Sequence, residues 1–197
     1  MRPETNRPET PGQISRPLLR RTLRDWTIEG CTATVQITLT QGAFQTGYAL
    51  FIGCSHFVIG VLAAIPAFAG LLQLVSSYLA QRYRRRKLLV AWFSLASRLL
   101  WLPILAIPFV LPRNLWVDVF LILTLLSSAL SNVSSPLWTA WITDLVPADN
   151  RGRYFGQRNM YAGFVGMVAS VLGGIFLDTA SRLHLYSQAT AFAIVFV

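Results

Sequence analysis

Acid is scarce in this chain: its 197 residues hold eight Asp and Glu against seventeen Lys and Arg, and charged residues make up only 13% of the total. A soluble domain usually carries about 25% charged residues, so an ordinary water-exposed surface is excluded. There are two histidines and two cysteines. His56 and His184 fall in short connections, and neither an HExxH nor a GxSxG pattern occurs, which leaves no metal site and no nucleophile elbow to support an enzyme. Cys31 and Cys54 lie in or beside apolar runs, where a small soft side chain reads as packing rather than as a disulfide. No cleavable signal peptide is evident: residues 1–24 are rich in Pro and Arg, lack an apolar core, and read as a disordered basic cytoplasmic tail. No acid falls at the middle of an apolar run, so no proton carrier stands out, and no cofactor is implied.

What is abundant is apolar length. Hydrophobic residues reach 54% of the chain, and the mean hydropathy is +0.51. A membrane-crossing helix needs about 20 residues to span roughly 30 Å of hydrocarbon. Five runs meet that length: 26–52, 57–80, 88–111, 115–142 and 154–177. A sixth, 186–197, stops short. The fold class expected is an all-α integral membrane protein, a six-helix transmembrane bundle over 25–197 whose last helix is incomplete.

The positive charges divide the connections. Arg2, Arg7, Arg16, Arg20, Arg21 and Arg24 precede the first run. Arg82, Arg84, Arg85, Arg86 and Lys87 separate the second from the third, and Arg151, Arg153 and Arg158 separate the fourth from the fifth. The alternate connections hold only Arg113 and Arg182. Basic loops face the cytoplasm, which places the N-terminus inside and suits a multi-pass protein of the plasma membrane. The net charge of +9 sits in these loops and fits anionic lipid headgroups rather than nucleic acid.

Two runs carry polar residues at helical spacing. Thr34, Thr38, Gln41, Gln45 and Tyr48 recur at steps of four and three, on one face of the first helix. Ser128, Ser131, Asn132, Ser135 and Thr139 form a second stripe on the fourth, beside Pro136. Polar faces within a bilayer look at a cavity or at neighbouring helices, so the stripes are candidates for a substrate cavity, with interhelical hydrogen bonding as the competing reading. Arg98 is a basic residue deep inside a run. At mid-bilayer it costs roughly 2.5–3.5 kcal/mol, so it is a candidate for a substrate or carboxylate partner, or for a structural pair with Glu29. Small residues mark the other helices: Ala63, Ala67 and Gly70 on the second, and Gly163, Gly166, Ser170, Gly173 and Gly174 on the fifth, as close helix packing requires. Trp101, Trp116, Trp138 and Trp141 read as interfacial anchors.

The cytoplasmic connections resemble those of the major facilitator superfamily, in its amino-terminal half, over about residues 20–197. The loop after the fourth run, with Asp144, Pro147, Arg151, Gly152 and Arg153, is similar to the family's acidic, proline and Arg-Gly arrangement. The loop after the second run matches the pattern Gly-x-x-x-Asp-Arg-x-Gly-Arg-Arg at Arg82, Arg85 and Arg86. It departs from it at Ser77, Gln81 and Arg84, so the carboxylate of the usual latch between halves is missing. The fifth run lacks the Gly-Pro pair of the antiporter motif. The resemblance implies a secondary transporter that moves a small solute by alternating access between two six-helix halves. It implies that the first and fourth helices line the cavity, that the second and fifth meet the partner half, and that the third is peripheral. Gln81, Arg82, Arg85, Arg86, Asp144 and Arg151 become the cytoplasmic gate and loop. The expected partners are the bilayer, a small solute, and a carboxy-terminal half or a second copy, the ending in mid-helix suggesting a truncated or partial chain. The alternative is a non-transport multi-pass protein, an assembly factor or partner subunit.

Overall fold

Backbone polar groups have no water to bond in hydrocarbon, so an apolar chain of this kind satisfies them within helices. The computed structural model describes residues 16–82, 86–146, 148–183 and 187–196, and there the chain is helical with no strand. The helices are α1 (Arg16–Thr40), α2 (Gly42–Phe51), α3 (His56–Gly70), α4 (Leu72–Arg82), α5 (Arg86–Leu99), α6 (Trp101–Val110), α7 (Trp116–Leu145), α8 (Ala148–Arg182) and α9 (Gln188–Phe196), with a single 3-10 turn at Arg113–Leu115.

Four stretches among the described residues are long and apolar enough to cross a membrane: His56–Tyr78, Leu88–Val110, Arg113–Thr143 and Arg151–Arg182. They correspond to the second to fifth expected runs. The first run is not among them. Instead α1 starts at Arg16, inside the segment expected to be a disordered tail, and stops at Thr40. Gln41 is extended and Gly42 has φ +60°, so the helix restarts as α2 in a new direction. That left-handed angle suits glycine, which has no Cβ to clash.

Two other breaks are local. Pro103 has no N–H to offer the carbonyl of Leu99, and the ladder loosens between α5 and α6, where the Ile104 N–H reaches the Leu100 carbonyl at 3.4 Å. Around Leu71 the bonds tighten to three-residue steps, Leu71 N to Phe68 O and Leu74 N to Leu71 O. α7 continues through Pro136. Ser55 caps α3, its hydroxyl accepting from the Val58 N–H at 3.3 Å.

The helices assemble as two sheaves. α1 lies along α8, with α9 against both; α7 lies along α3, α4 and α5. An aromatic core joins the sheaves at one end. Tyr48 sits at its centre, 1% exposed, edge-on to Phe120 and Phe192, and its hydroxyl donates to the Ile104 carbonyl at 2.8 Å. Trp101 and Phe196 complete it at 5.4 Å. At the other end Trp26 of α1 meets Trp141 of α7 edge-on at 5.2 Å. The outer surface is apolar, with Phe57, Phe68, Leu74, Trp92, Val110, Ile122, Phe164 and Leu172 all exposed, as a lipid-facing surface requires.

The fifth helix turns its small face inward. A Cβ on Gly166 would lie 3.0 Å from the Thr34 methyl, and one on Gly173 would lie 2.8 Å from Leu39, so both glycines are needed where α8 presses on α1. Gly163 and Gly174 face away from the bundle, with no neighbouring atom within reach of an added Cβ. Ala63 and Ala67 of α3 are exposed too.

A polar cavity between the two sheaves

Between the aromatic core and the Trp26–Trp141 contact, the sheaves stand apart around two polar cavities. The first, of about 170 Å³, is bordered by Glu29 and Gln36 of α1, Gln41 at the break after it, Ser94, Ser97 and Arg98 of α5, Ser131, Ser134, Ser135 and Trp138 of α7, and Arg158 of α8. The second, of about 90 Å³, is bordered by Gln41, Gln45, Thr124, Ser127, Ser128, Ser131 and Asn132, with Leu62, Pro66 and Trp101 on its apolar side. Gln41, Trp101 and Ser131 border both, so the two cavities adjoin and form a polar column between the sheaves. Larger grooves, of about 550 Å³ between α2, α8 and α9 and about 290 Å³ beside Thr38 and Ser170, are lined mainly by apolar side chains.

Some of the lining is committed to holding helices together. Ser97 and Ser127 bond reciprocally to each other's carbonyls at 2.9 and 3.0 Å. The hydroxyls of Ser94 and Ser134 meet at 2.6 Å, and Ser76 donates to the Val133 carbonyl at 2.6 Å. Asn132 donates to the Ser128 carbonyl at 2.9 Å and accepts from the Gln73 amide at 3.0 Å. Other groups remain uncommitted. The buried Thr124 hydroxyl has no hydrogen-bond partner among the described residues, and neither has the buried Nε of Arg158. An unsatisfied buried donor costs about 1–3 kcal/mol, more when charged.

Arg98 and Glu29 form an ion pair at 3.3 Å across the first cavity, with side chains 43% and 48% exposed. Arg158 has no carboxylate partner among the described residues. Its guanidinium lies 4.4 Å over the Trp138 ring and occupies the space a side chain at position 30 would need: a Cβ on Gly30 would run into Nη2. Gly30 is therefore a notch in α1 that admits a charged side chain from α8. Tyr154, one turn earlier on α8, meets the Leu23 carbonyl at 3.5 Å.

The first stripe is split by the break at Gln41. Gln41 and Gln45 border the column, whereas Thr34 and Thr38 pack on Gly166 and Tyr48 is enclosed in the aromatic core. Ser128, Asn132, Ser135 and Arg98 do border it. Thr139 lies outside both cavities and bonds the Ser135 carbonyl. α5 is no peripheral helix, since Ser94, Ser97 and Arg98 line the column. Trp101, 5% exposed, and Trp138 face the cavity rather than an interface; Trp116 bonds the Leu111 carbonyl at 2.9 Å. Arg151 donates from Nε to the Val146 carbonyl at 2.9 Å and closes the end of α7. Arg85 and His184 lie outside the described residues, as do the side chains of Gln81, Arg82, Arg86 and Asp144.

Sequence reasoning passed over Arg158 and counted it only as loop charge. Its position seven residues past Arg151, already inside the apolar run, was the available signal. Ser94 and Ser97, three apart and beside Arg98, were another.

Polar cavities with paired and unpaired charge thus lie between helices whose exterior is apolar. The family model of the Major Facilitator Superfamily matches residues 30–197. The chain belongs to this superfamily. No curated protein and no solved structure matches it. Membership makes it a membrane protein of a transporter family.

Proposed function

We infer that the chain is the amino-terminal, six-helix half of a major facilitator that moves a small solute across the plasma membrane by alternating access. Its N-terminus and basic loops are cytoplasmic, and α1 with α2, and α9, supply the first and sixth membrane passages. The observation that carries this reading is the pair of adjoining polar cavities, bordered from Glu29 to Asn132, between two sheaves that meet in an aromatic core at one end and in the Trp26–Trp141 contact at the other. The partner is a carboxy-terminal half or a second copy. The exposed small residues Ala63 and Ala67 of α3 and Gly163 and Gly174 of α8 offer it a smooth surface.

A substrate-free test exists. With Cys31 and Cys54 replaced by alanine, cysteines at Gln45, Ser131 and Ser135 are expected to react with a hydrophilic methanethiosulfonate, and one at lipid-facing Leu126 is expected not to react. If the cysteine at Ser131 is as inert as that at Leu126, the column is no aqueous pathway. Constant co-purification of a second protein with such an inert column would turn the reading to an assembly factor.

A further inference from the structure

The lining of the first cavity sorts into spent and unspent groups, and among the unspent ones Arg158 is the group that can only donate, while the free Ser and Gln side chains can donate or accept. Ser94, Ser97 and Ser134 are bonded across the α5–α7 seam, and Arg98 is neutralised by Glu29. Arg158 remains, with a buried Nε that nothing satisfies. Of its neighbours around the cavity, Ser131, Ser135, Gln36 and Gln41 keep their side-chain donors free among the described residues. Two arginines against one glutamate leave one uncompensated positive charge. The guanidinium is held on both sides, by the Trp138 ring at 4.4 Å and by the notch at Gly30. A planar fork fixed in this way, with hydroxyl and amide donors beside it, matches the geometry of a carboxylate or a phosphate. The volume of about 170 Å³ is roughly ten times what a single water needs.

We propose that this cavity binds an oxyanion, a carboxylate or phosphate group, and that Arg158 is the residue that holds it. The solute taken by the pathway is therefore an anion, and the proposal rests on the transport reading above. Ser135, about one turn before Trp138 on α7, supplies a further hydrogen bond. Arg98 is a positioning residue that keeps Glu29 away from the site, since a free carboxylate there would compete for Arg158.

The test is binding at equilibrium with the full chain in phosphatidylcholine nanodiscs. Thermal unfolding is followed while sodium phosphate, acetate or succinate is titrated against sodium chloride of equal ionic strength, with acetamide as the neutral counterpart of acetate. At least one oxyanion is expected to raise Tm saturably where chloride and acetamide do not. Arg158→Gln is expected to weaken that binding tenfold or more, and Arg153→Gln, an exposed charge near the start of α8, to leave it unchanged. Arg158→Lys, which keeps the charge and loses the fork, is expected to bind at an intermediate level and serves if the Gln variant fails to fold. In nanodiscs containing phosphatidylglycerol, loss of the soluble-anion effect identifies a lipid headgroup as the source of the oxyanion, and its persistence identifies a solute. The proposal is overturned if no oxyanion exceeds chloride, or if Arg158→Gln binds as the parent does. An inert cysteine at Ser131 sinks the transport reading; a reactive one with no anion response sinks only this inference.

Discussion

Single positions show how the same residue type serves different ends. Gly173 and Gly174 are neighbours, yet only the first touches α1. Gly173→Ala places a methyl 2.8 Å from Leu39 and 2.9 Å from Phe44, and overpacking of this kind costs roughly 1–3 kcal/mol. Gly174→Ala meets nothing and gains helix propensity of up to about 1 kcal/mol. Unfolding midpoints in mixed detergent are expected to move in opposite directions for the two variants, and a similar loss in both would contradict the parallel packing of α1 and α8. Cys54, in the connection between α2 and α3, is 7% exposed, and burial pushes its thiol above the ordinary value. In the unfolded chain the thiolate forms earlier as pH rises, near an ordinary thiol pKa of about 8.5. The folded protein is expected to alkylate at Cys54 at least tenfold more slowly than the denatured protein at pH 8. The contribution of this group to stability is full below the ordinary thiol pKa and falls as pH climbs above it. Equal alkylation rates in the two states would place the thiol at the surface.

At the scale of elements, the serine zipper between α5 and α7 decides what remains for the cavity. Ser97 and Ser127 exchange two hydrogen bonds, and such contacts in membrane proteins average about 0.6 kcal/mol and reach about 1.7. A double-mutant cycle of Ser97→Ala and Ser127→Ala is expected to give a coupling of about 0.5–1.5 kcal/mol, read from unfolding midpoints. A coupling near zero would return both hydroxyls to the list of free cavity donors. The break at Gln41–Gly42 matters in the same way. Without it, α1 and α2 would carry one continuous stripe from Thr34 to Tyr48. With it, the upper part of the stripe packs on α8, the middle faces α7, and Tyr48 enters the aromatic core.

For the whole molecule, charge sets orientation and apolar surface sets the environment. The first turns of α8, with Gly152 and Arg153, and the turn at Arg113–Leu115 lie at opposite ends of α7. Single cysteines in a background free of Cys31 and Cys54 report the sidedness. An impermeant maleimide is expected to label Asn114→Cys in intact cells and Gly152→Cys only after permeabilisation. The reverse pattern would invert the topology read from the arginines. In the expected orientation the aromatic core around Tyr48 lies in the outer half of the membrane, and the Arg98–Glu29 pair with Arg158 lies in the cytoplasmic half, where anionic solutes would first meet the column from inside.

The sequence alone determined the helical, membrane-embedded class, the superfamily, and the four long apolar spans, because hydrophobic length, loop charge and loop motifs are local properties written residue by residue. It also marked Gln41, Gln45, Ser128, Asn132 and Ser135 by their helical spacing, and Arg98 by its charge within an apolar run. Tertiary structure decided the rest. A single left-handed glycine at Gly42 changes the phase of everything after it, so Thr34, Thr38 and Tyr48 left the stripe they share in sequence. The third helix joined the cavity because its serines pair across to α7, a match between segments some 30 to 40 residues apart. Arg158 stood out only when α8 was seen beside Gly30 and Trp138. A guanidinium in a loop and a guanidinium pressed into a notch are the same letter in the chain, and only the neighbours that desolvate one of them make it a site.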